Sequence, residues 1–194
     1  MWIRTVVSAI ALCWLAILPA VASGQDDDFV PPVASEIEVA ILGSNIVIEG
    51  KAFTLPCSLH EITDLLGPGD RVSKLHNWIT TWDNFGLIAY CKPETTKVIS
   101  VAICLAKKDY KFSPKKAFRG KLSVDGAEIT SASRVREVNQ AKKGVRLETK
   151  IPGLPASIQY PTVLITVGEE KEAGMDQVAI SWREPNPKPP APEK

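Results

Sequence analysis

A cysteine, a histidine and an aspartate lie close together in the sequence and could support thiol chemistry. Cys57, His60 and Asp64 are three and four residues apart, so their side chains would be neighbours on a helix. A thiolate is stabilised at a helix N-terminus, and a histidine can act as its base. The sequence shows no nucleophile turn, oxyanion motif or second base. We therefore expect a non-catalytic protein, with a hydrolase or thiol enzyme that uses Cys57 and His60 as the alternative.

Two further patterns do not satisfy the requirements of a metal or phosphate site. Structural zinc needs four ligands as a rule, and Cys57-Ser58-Leu59-His60 supplies two, with no obvious third. The stretch Gly67–Asp70 follows a predicted helix, so no helix N-terminus faces an anion there. The sequence predicts no metal and no cofactor.

Tryptophans provide the main candidate site. Trp78, Trp82 and Trp182 lie in predicted strands, and alternation places Trp78 and Trp82 on one face. Tryptophan is enriched at interface hot spots, because it buries a large area and still offers an N–H group. The predicted partner-binding site consists of Trp78, Trp82, Asp83 and Phe85.

Alternatives to this site stay open. The tryptophan face could instead cover the core, and the loops Gly67–Asn77 and Gly168–Gly174 are then the next candidates for recognition. The space between helix and sheet could also carry an apolar ligand.

The elements that position these residues follow from periodicity and capping. Ser58-Leu-His-Glu61 forms a capping box, an apolar helix face follows, and Gly67-Pro68 ends the helix. Alternating apolar residues predict strands before the helix and a tryptophan-bearing meander after it.

A weak internal repeat suggests that this arrangement occurs twice. Gly43 and Gly67 correspond to Gly120 and Gly144 at an offset of 77 residues, and positions between them correspond at an offset of 76. A fixed period indicates a duplicated unit. We predict an α+β fold of two tandem β-β-α-β-β units, with mostly antiparallel sheet and one helix per unit. The units span residues 36–106 and 118–183, joined by the linker 107–117.

The first unit resembles a known family. The capped helix that ends in Leu65-Leu66-Gly67-Pro68, followed by a tryptophan-bearing meander, is similar to the helix-on-sheet unit of β-lactamase-inhibitor-like proteins and of bacterial outer-membrane assembly lipoproteins. Trp82-Asp83-x-x-Gly86 also resembles an uncharacterised bacterial envelope domain family. The resemblance implies a fold that binds other proteins, and it implies no reaction. The chain departs from it by having no lipidation cysteine.

The N-terminus has the parts of a secretory signal peptide. Arg4 precedes an apolar run that ends at Pro19, and Ala20-Val21-Ala22 fits a peptidase site. We predict a signal peptide over residues 1–22 and a flexible leader over 23–35, with an uncleaved anchor as the alternative. Residues 184–194 contain five prolines and are predicted to be an extended tail.

The composition of the chain argues against a nucleic-acid partner and against a membrane-spanning protein. The 194 residues include 23 Lys and Arg and 22 Asp and Glu, so the overall charge gives no support for a nucleic-acid partner. After the signal peptide no segment is apolar enough to span a membrane. We predict a periplasmic or secreted module that binds another protein, as an inhibitor, an immunity factor or an envelope-assembly adaptor.

Overall fold

The computed structural model describes residues 36–93, 95–151, 154–170 and 174–184. The predicted signal peptide, the leader and nearly all of the proline-rich tail lie outside these residues. No helix within the described ranges is long and apolar enough to cross a membrane.

The chain forms a series of short strands interrupted by two helices. The elements before residue 106 are β1 (Glu38–Leu42), β2 (Asn45–Ile48), β3 (Lys51–Thr54), β4 (Cys57–Ser58), α1 (Leu59–Leu66), β5 (Arg71–Lys74), β6 (Trp78–Trp82), β7 (Leu87–Cys91) and β8 (Lys97–Cys104). The later elements are β9 (Lys121–Val124), β10 (Ala127–Glu128), α2 (Val135–Ala141), β11 (Ala156–Gln159), β12 (Val163–Glu170) and β13 (Gly174–Trp182).

These strands form two sheets. The smaller sheet has the order β10-β9-β1-β2-β3, and the larger has the order β11-β12-β13-β8-β7-β6-β5, with β4 also paired to β8. Neighbouring strands are antiparallel except for β1 and β9, which run parallel. The strands β5 and β11 are the two ends of the larger sheet.

The predicted α+β fold of two tandem β-β-α-β-β units is wrong. In the part of the chain that the structure describes, 45% of the residues lie in strands and 11% in helices, so the fold is predominantly β. The helices have eight and seven residues, about two turns each, which is too short to form a layer of their own. Both sheets also combine strands from the two halves, because β1 pairs with β9 and β8 pairs with β13.

One hydrophobic core joins the two sheets and both helices. Alternate residues of β1 and β2 point inward, including Val39, Ile41, Ile46 and Ile48, all 0% exposed. They join Val101 and Ile103 of β8 and Ile62 of α1 in a single cluster of buried side chains. The hydrophobic effect on these inner faces therefore holds the sheets against each other.

The larger sheet has a second buried patch on its opposite face. Ile79, Ile88, Ala102 and Cys104 form this cluster, because strand alternation points them away from the main core. Tyr110 and Phe112, from the predicted linker, pack over it, with their ring centroids 4.7 Å apart. The segment 107–117 is thus a covering layer of the sheet.

Helix α1 begins and ends where the sequence predicts, with Ser58 at its N-cap and Gly67 at its C-cap, although the N-cap bond comes from His60 and not from Glu61. The Ser58 hydroxyl accepts a hydrogen bond from the His60 N–H at 3.2 Å, and Gly67 follows the helix with a φ of 78°. That left-handed φ is costly for a residue with a Cβ atom. Ile62 and Leu66 face the core, and the remaining helix surface is more exposed.

A partly buried carboxylate ties the smaller sheet to the residues that follow α2 and β11. The Asp125 carboxylate accepts hydrogen bonds from the Gly43 N–H at 2.8 Å, the Lys142 ammonium at 2.6 Å and the Tyr160 hydroxyl at 2.7 Å. Burial raises the pKa of Asp125, but these donors outweigh it and hold that pKa below its ordinary range. Because the Lys142 side chain is itself 0% exposed, removing either charge would leave the other buried without its partner.

Substituting Gly120 is expected to strain the junction between β9 and the chain before β1. A Cβ atom at position 120 would lie 1.8 Å from the Ile37 carbonyl oxygen, which accepts the Lys121 N–H. We predict that Gly120→Ala lowers the free energy of unfolding by about 1–3 kcal/mol, the usual cost of overpacking. Denaturant titration measures this change. Ser123→Ala, a control on the outer face of β9, should change stability little, and equal stability of both variants would contradict the prediction.

Candidate functional site

Of the three residues proposed for thiol chemistry, Cys57 is buried, whereas His60 and Asp64 lie at the surface. Cys57 lies in β4 with its side chain in the core, and burial, with a smaller effect from Glu61, raises its pKa to about 11. His60 is on the surface, where its imidazole lies 3.4 Å from Asp64. The thiol is therefore protonated at neutral pH, and the groups that would activate it are exposed to solvent.

All three cysteines of the described residues are free and buried. Cys57 and Cys91 pair with Val98 from opposite sides of β8, so their Cα atoms are two strand spacings apart, about 9.6 Å. A disulfide needs a separation below about 7 Å. Burial also raises the pKa of Cys91, and that of Cys104 to about 11. The three cysteines therefore serve as buried side chains that pack in the core.

Within the described residues, no group of three His, Cys, Asp or Glu side chains is arranged to hold an ion.

Most of the predicted tryptophan site is inside the protein. Trp82 is 2% exposed and Phe85 is 8% exposed, and both belong to the main core. The Trp82 indole N–H donates to the Gly67 carbonyl at 2.9 Å, which ties the end of α1 to β6. These two rings hold the fold together and present no surface to a partner.

Asp83 is also buried, and it organises the residues around it. Its carboxylate accepts two hydrogen bonds from Arg71, at 3.0 and 2.6 Å, and lies 3.0 Å from the Lys115 ammonium. The Arg71 guanidinium also donates to the carbonyls of Lys111 and Ser113. One ion pair therefore connects β5, the turn after β6 and the covering segment 107–117.

The electrostatics of Asp83 follow from these contacts. Burial raises the pKa of the carboxyl group, while the hydrogen bonds from Arg71 and Lys115 lower it, and the net effect is a pKa below the ordinary range. A fork of two parallel N–H···O bonds to a carboxylate is both strong and orienting. Asp83 is a structural ion-pair centre.

Residues 38–139 match the model of a protein family described as a domain of unknown function, DUF7738. The chain belongs to this family. No match was found among curated proteins or among solved structures. The matched residues run from β1 into α2, so they include Trp82, Asp83 and Arg71. The strands β11 to β13, which complete the larger sheet, follow the matched region.

Trp78 is the one member of the predicted site that lies partly at the surface, where β6 meets the end strand β5. Lys74 lies opposite it in the strand register, with its ammonium 4.6 Å from the centre of the ring. Val72 and Leu75 are 60% and 55% exposed. Exposed apolar side chains beside an end strand mark a surface suited to another polypeptide.

We call this surface, formed by Val72, Lys74, Leu75 and Trp78, the β5 edge. Three of its four residues lie in the region Gly67–Asn77, which the sequence offered as the next candidate, and the fourth is Trp78. The sequence did not identify β5 as a strand, because Arg-Val-Ser-Lys contains a single apolar residue.

Replacing each of the two tryptophans by alanine should show which ring lies in the core and which lies partly at the surface. We predict that Trp82→Ala lowers the free energy of unfolding by about 3–5 kcal/mol, since it removes a buried ring and its hydrogen bond. Trp78→Ala should cost less, about 1–2 kcal/mol, because part of that ring is already in water. Thermal and urea unfolding measure both values, and an equal cost for the two would contradict their placement.

The ionisation of Asp83 should make the stability of the protein depend on pH in the acid range. The lowered pKa means that the ion pair contributes fully above about pH 4, the ordinary value for an unfolded aspartate. This contribution is lost as the pH falls through the folded value. Asp83→Asn should therefore melt well below the wild type at neutral pH, and the gap should narrow below about pH 4.

Melting curves across the acid range test this expectation. Asp109→Asn, a change of an exposed carboxylate in the covering segment, is the control and should follow the wild type. A gap between Asp83→Asn and the wild type that stayed constant with pH would mean that the charge of Asp83 is not what stabilises the fold.

Proposed function

We propose that this protein is an exported, non-catalytic module that binds another protein through the β5 edge. The observation that supports this most directly is the position of β5 at the end of the larger sheet, with β6 as its one strand neighbour among the described residues. An end strand has backbone N–H and C=O groups directed away from its sheet, which an extended segment of a partner can pair with. Trp78, Val72 and Leu75 supply the apolar contacts beside it.

The arrangement suits a binding surface on a rigid base. Arg71, at the start of β5, is fixed by its two hydrogen bonds to Asp83, and the register of β5 on β6 extends over four residue pairs. A strand held in this way loses little conformational freedom on binding, which favours affinity. Tryptophan beside such a strand is the residue type most often found at hot spots.

A non-catalytic role is supported by the burial of the reactive groups. The Cys57 thiol has a raised pKa and lies in the core, while His60 is outside. A carrier of apolar ligands has less support, because Ile62 and Leu66 of α1 pack directly into the main core cluster.

The proposed export rests on the N-terminal sequence, with Arg4, the apolar run and the site Ala20-Val21-Ala22. A periplasmic or secreted location is compatible with an inhibitor, an immunity factor or an envelope-assembly adaptor, since all three act by binding a protein. The nearly balanced charge of the chain favours a protein partner over a nucleic acid.

Changes on the β5 edge should weaken partner binding without unfolding the protein. We predict that Val72→Glu and Trp78→Ala each reduce affinity by about tenfold or more, the effect of losing a contact at an interface hot spot. The measurement is capture of partners from an envelope extract on immobilised wild-type protein, followed by titration of the recovered partner against each variant.

Leu42 provides a matched control. It is 51% exposed and apolar, but it lies at the end of β1 in the smaller sheet. Leu42→Glu should retain the partner at wild-type affinity. If Val72→Glu and Leu42→Glu bind it equally well, the β5 edge is not the binding surface.

A further inference from the structure

The end strand β5 (Arg71–Lys74) carries two cationic side chains and no acidic one. The Arg71 guanidinium is engaged by the Asp83 carboxylate. The Lys74 side chain is exposed, with its ammonium over the Trp78 ring. Its charge is therefore presented at the outer side of the larger sheet, on the face that carries Trp78.

A second exposed lysine lies beside β5 on the opposite face of the sheet. The Lys111 carbonyl accepts a hydrogen bond from Arg71 at 2.8 Å, and the segment 107–117 that contains it covers the outer buried cluster. This segment has five lysines and one acidic residue, Asp109, while Asp70, just before β5, interacts with Arg71. Positive charge therefore borders the β5 edge on both faces of the sheet.

The backbone of β5 presents hydrogen-bonding groups at two positions. The Leu75 N–H donates to the Asn77 carbonyl at 3.0 Å, which makes these two residues a hydrogen-bonded pair of the hairpin between β5 and β6. Such pairs alternate along an antiparallel ladder, so the backbone groups of Ser73 point toward β6. Those of Val72 and Lys74 point outward, where an added strand can pair with them.

A second copy of the chain is a poor partner for this edge. Pairing β5 with β5 of another molecule would bring Arg71 and Lys74 close to the same residues of that molecule, and like charges across a strand pair are destabilising. Lysine on an end strand commonly prevents such self-association. A segment with carboxylates turns the same charges into attraction, so the charge of β5 selects its partner.

We propose that the segment that pairs with β5 is an extended, acidic stretch of a partner protein, with carboxylates directed to both faces of the sheet. Neighbouring side chains of a strand point to opposite faces, so two successive acidic residues place one carboxylate at Lys74 and the other at Lys111. The exposed Val72 and Leu75 provide contacts for apolar residues of the same segment. This inference rests on the proposed function, because it gives the chemistry of the segment that the β5 edge binds.

Binding of short dye-labelled peptides, measured by fluorescence anisotropy, tests the inference. The acidic peptide has adjacent glutamates flanked by threonine and valine, and the matched peptide has glutamine in place of each glutamate. The acidic peptide should bind about tenfold more tightly at low salt, the order expected from two exposed ion pairs, and added salt should remove the difference. An acidic peptide N-methylated along its backbone should not bind, because it keeps the charge but cannot pair with β5.

Charge reversal on the protein tests the two lysines. Lys74→Glu with Lys111→Glu should weaken binding of the acidic peptide by about tenfold or more, and should leave binding of the glutamine peptide near its wild-type value. Lys143→Glu with Lys150→Glu makes the same change in net charge in the segment before β11, at the other end of the larger sheet. This control should bind the acidic peptide as the wild type does, and thermal unfolding checks that each variant keeps its fold.

Four results would overturn the inference. Equal affinity for the acidic and glutamine peptides, or unchanged binding of the acidic peptide by the variant with both lysines reversed, would leave the β5 edge as a binding surface without this charge preference. Binding of the N-methylated peptide would show attraction by charge alone, without strand pairing. Peptide binding that weakens as the protein concentration rises would assign the edge to a second copy of the chain. If neither peptide bound the wild type, binding at the β5 edge would itself fail, and the inference with it.

Discussion

The ion pair between Asp83 and Arg71 is the interaction on which the positions of β5 and of the covering segment 107–117 depend. A carboxylate that is 3% exposed is costly unless it is paired and fully hydrogen-bonded. Arg71 meets that requirement with two hydrogen bonds, and Lys115 adds its ammonium and its backbone N–H. The Asp83 backbone N–H is satisfied by Asp70 at 2.7 Å. The turn after β6 is therefore held from both sides.

Two surfaces meet at this ion pair. Arg71 begins β5, so its position sets the start of the β5 edge. Lys115, on the other side of Asp83, precedes Lys116, whose backbone N–H donates to the Asp83 carbonyl at 3.1 Å. The same aspartate thus positions both the end strand β5 and the basic residues of the covering segment.

Local patterns in the sequence predicted several elements well. Ser58 and Gly67 bracket α1, and the alternation through Trp78 and Trp82 correctly separates the two faces of β6. The hairpin from β7 to β8 places Cys91 opposite Val98. These features depend on neighbouring residues, where capping, turn chemistry and period-two alternation act directly.

Long-range pairing could not be predicted in the same way. The strands β4 and β5 contain two and four residues, and they are strands because β8 and β6 lie beside them. The pairing of β1 with β9 and of β8 with β13 joins residues at least 73 positions apart, and no local propensity specifies it. The α+β prediction failed because short strands such as these, formed by pairing with distant neighbours, make the fold predominantly β.

For the candidate site too, the sequence predicted local geometry but not the tertiary contacts of each side chain. Alternation correctly placed Trp82 on one face of β6, but it could not say what covers either face. The inner face is covered by the main core, and the outer one by Tyr110 and Phe112 from a lysine-rich segment that looks like a linker. That segment has two aromatic anchors and is fixed by the Arg71 guanidinium through the carbonyls of Lys111 and Ser113.

Because the covering layer is fastened at Asp83, its basic residues occupy a defined surface. A solvated linker with the same composition would spread its lysines over many positions. The buried ion pair instead holds Lys115 and Lys116 against the turn after β6. Burial of one carboxylate thereby fixes the basic residues of this segment in place, although the chain as a whole has a formal charge of +1.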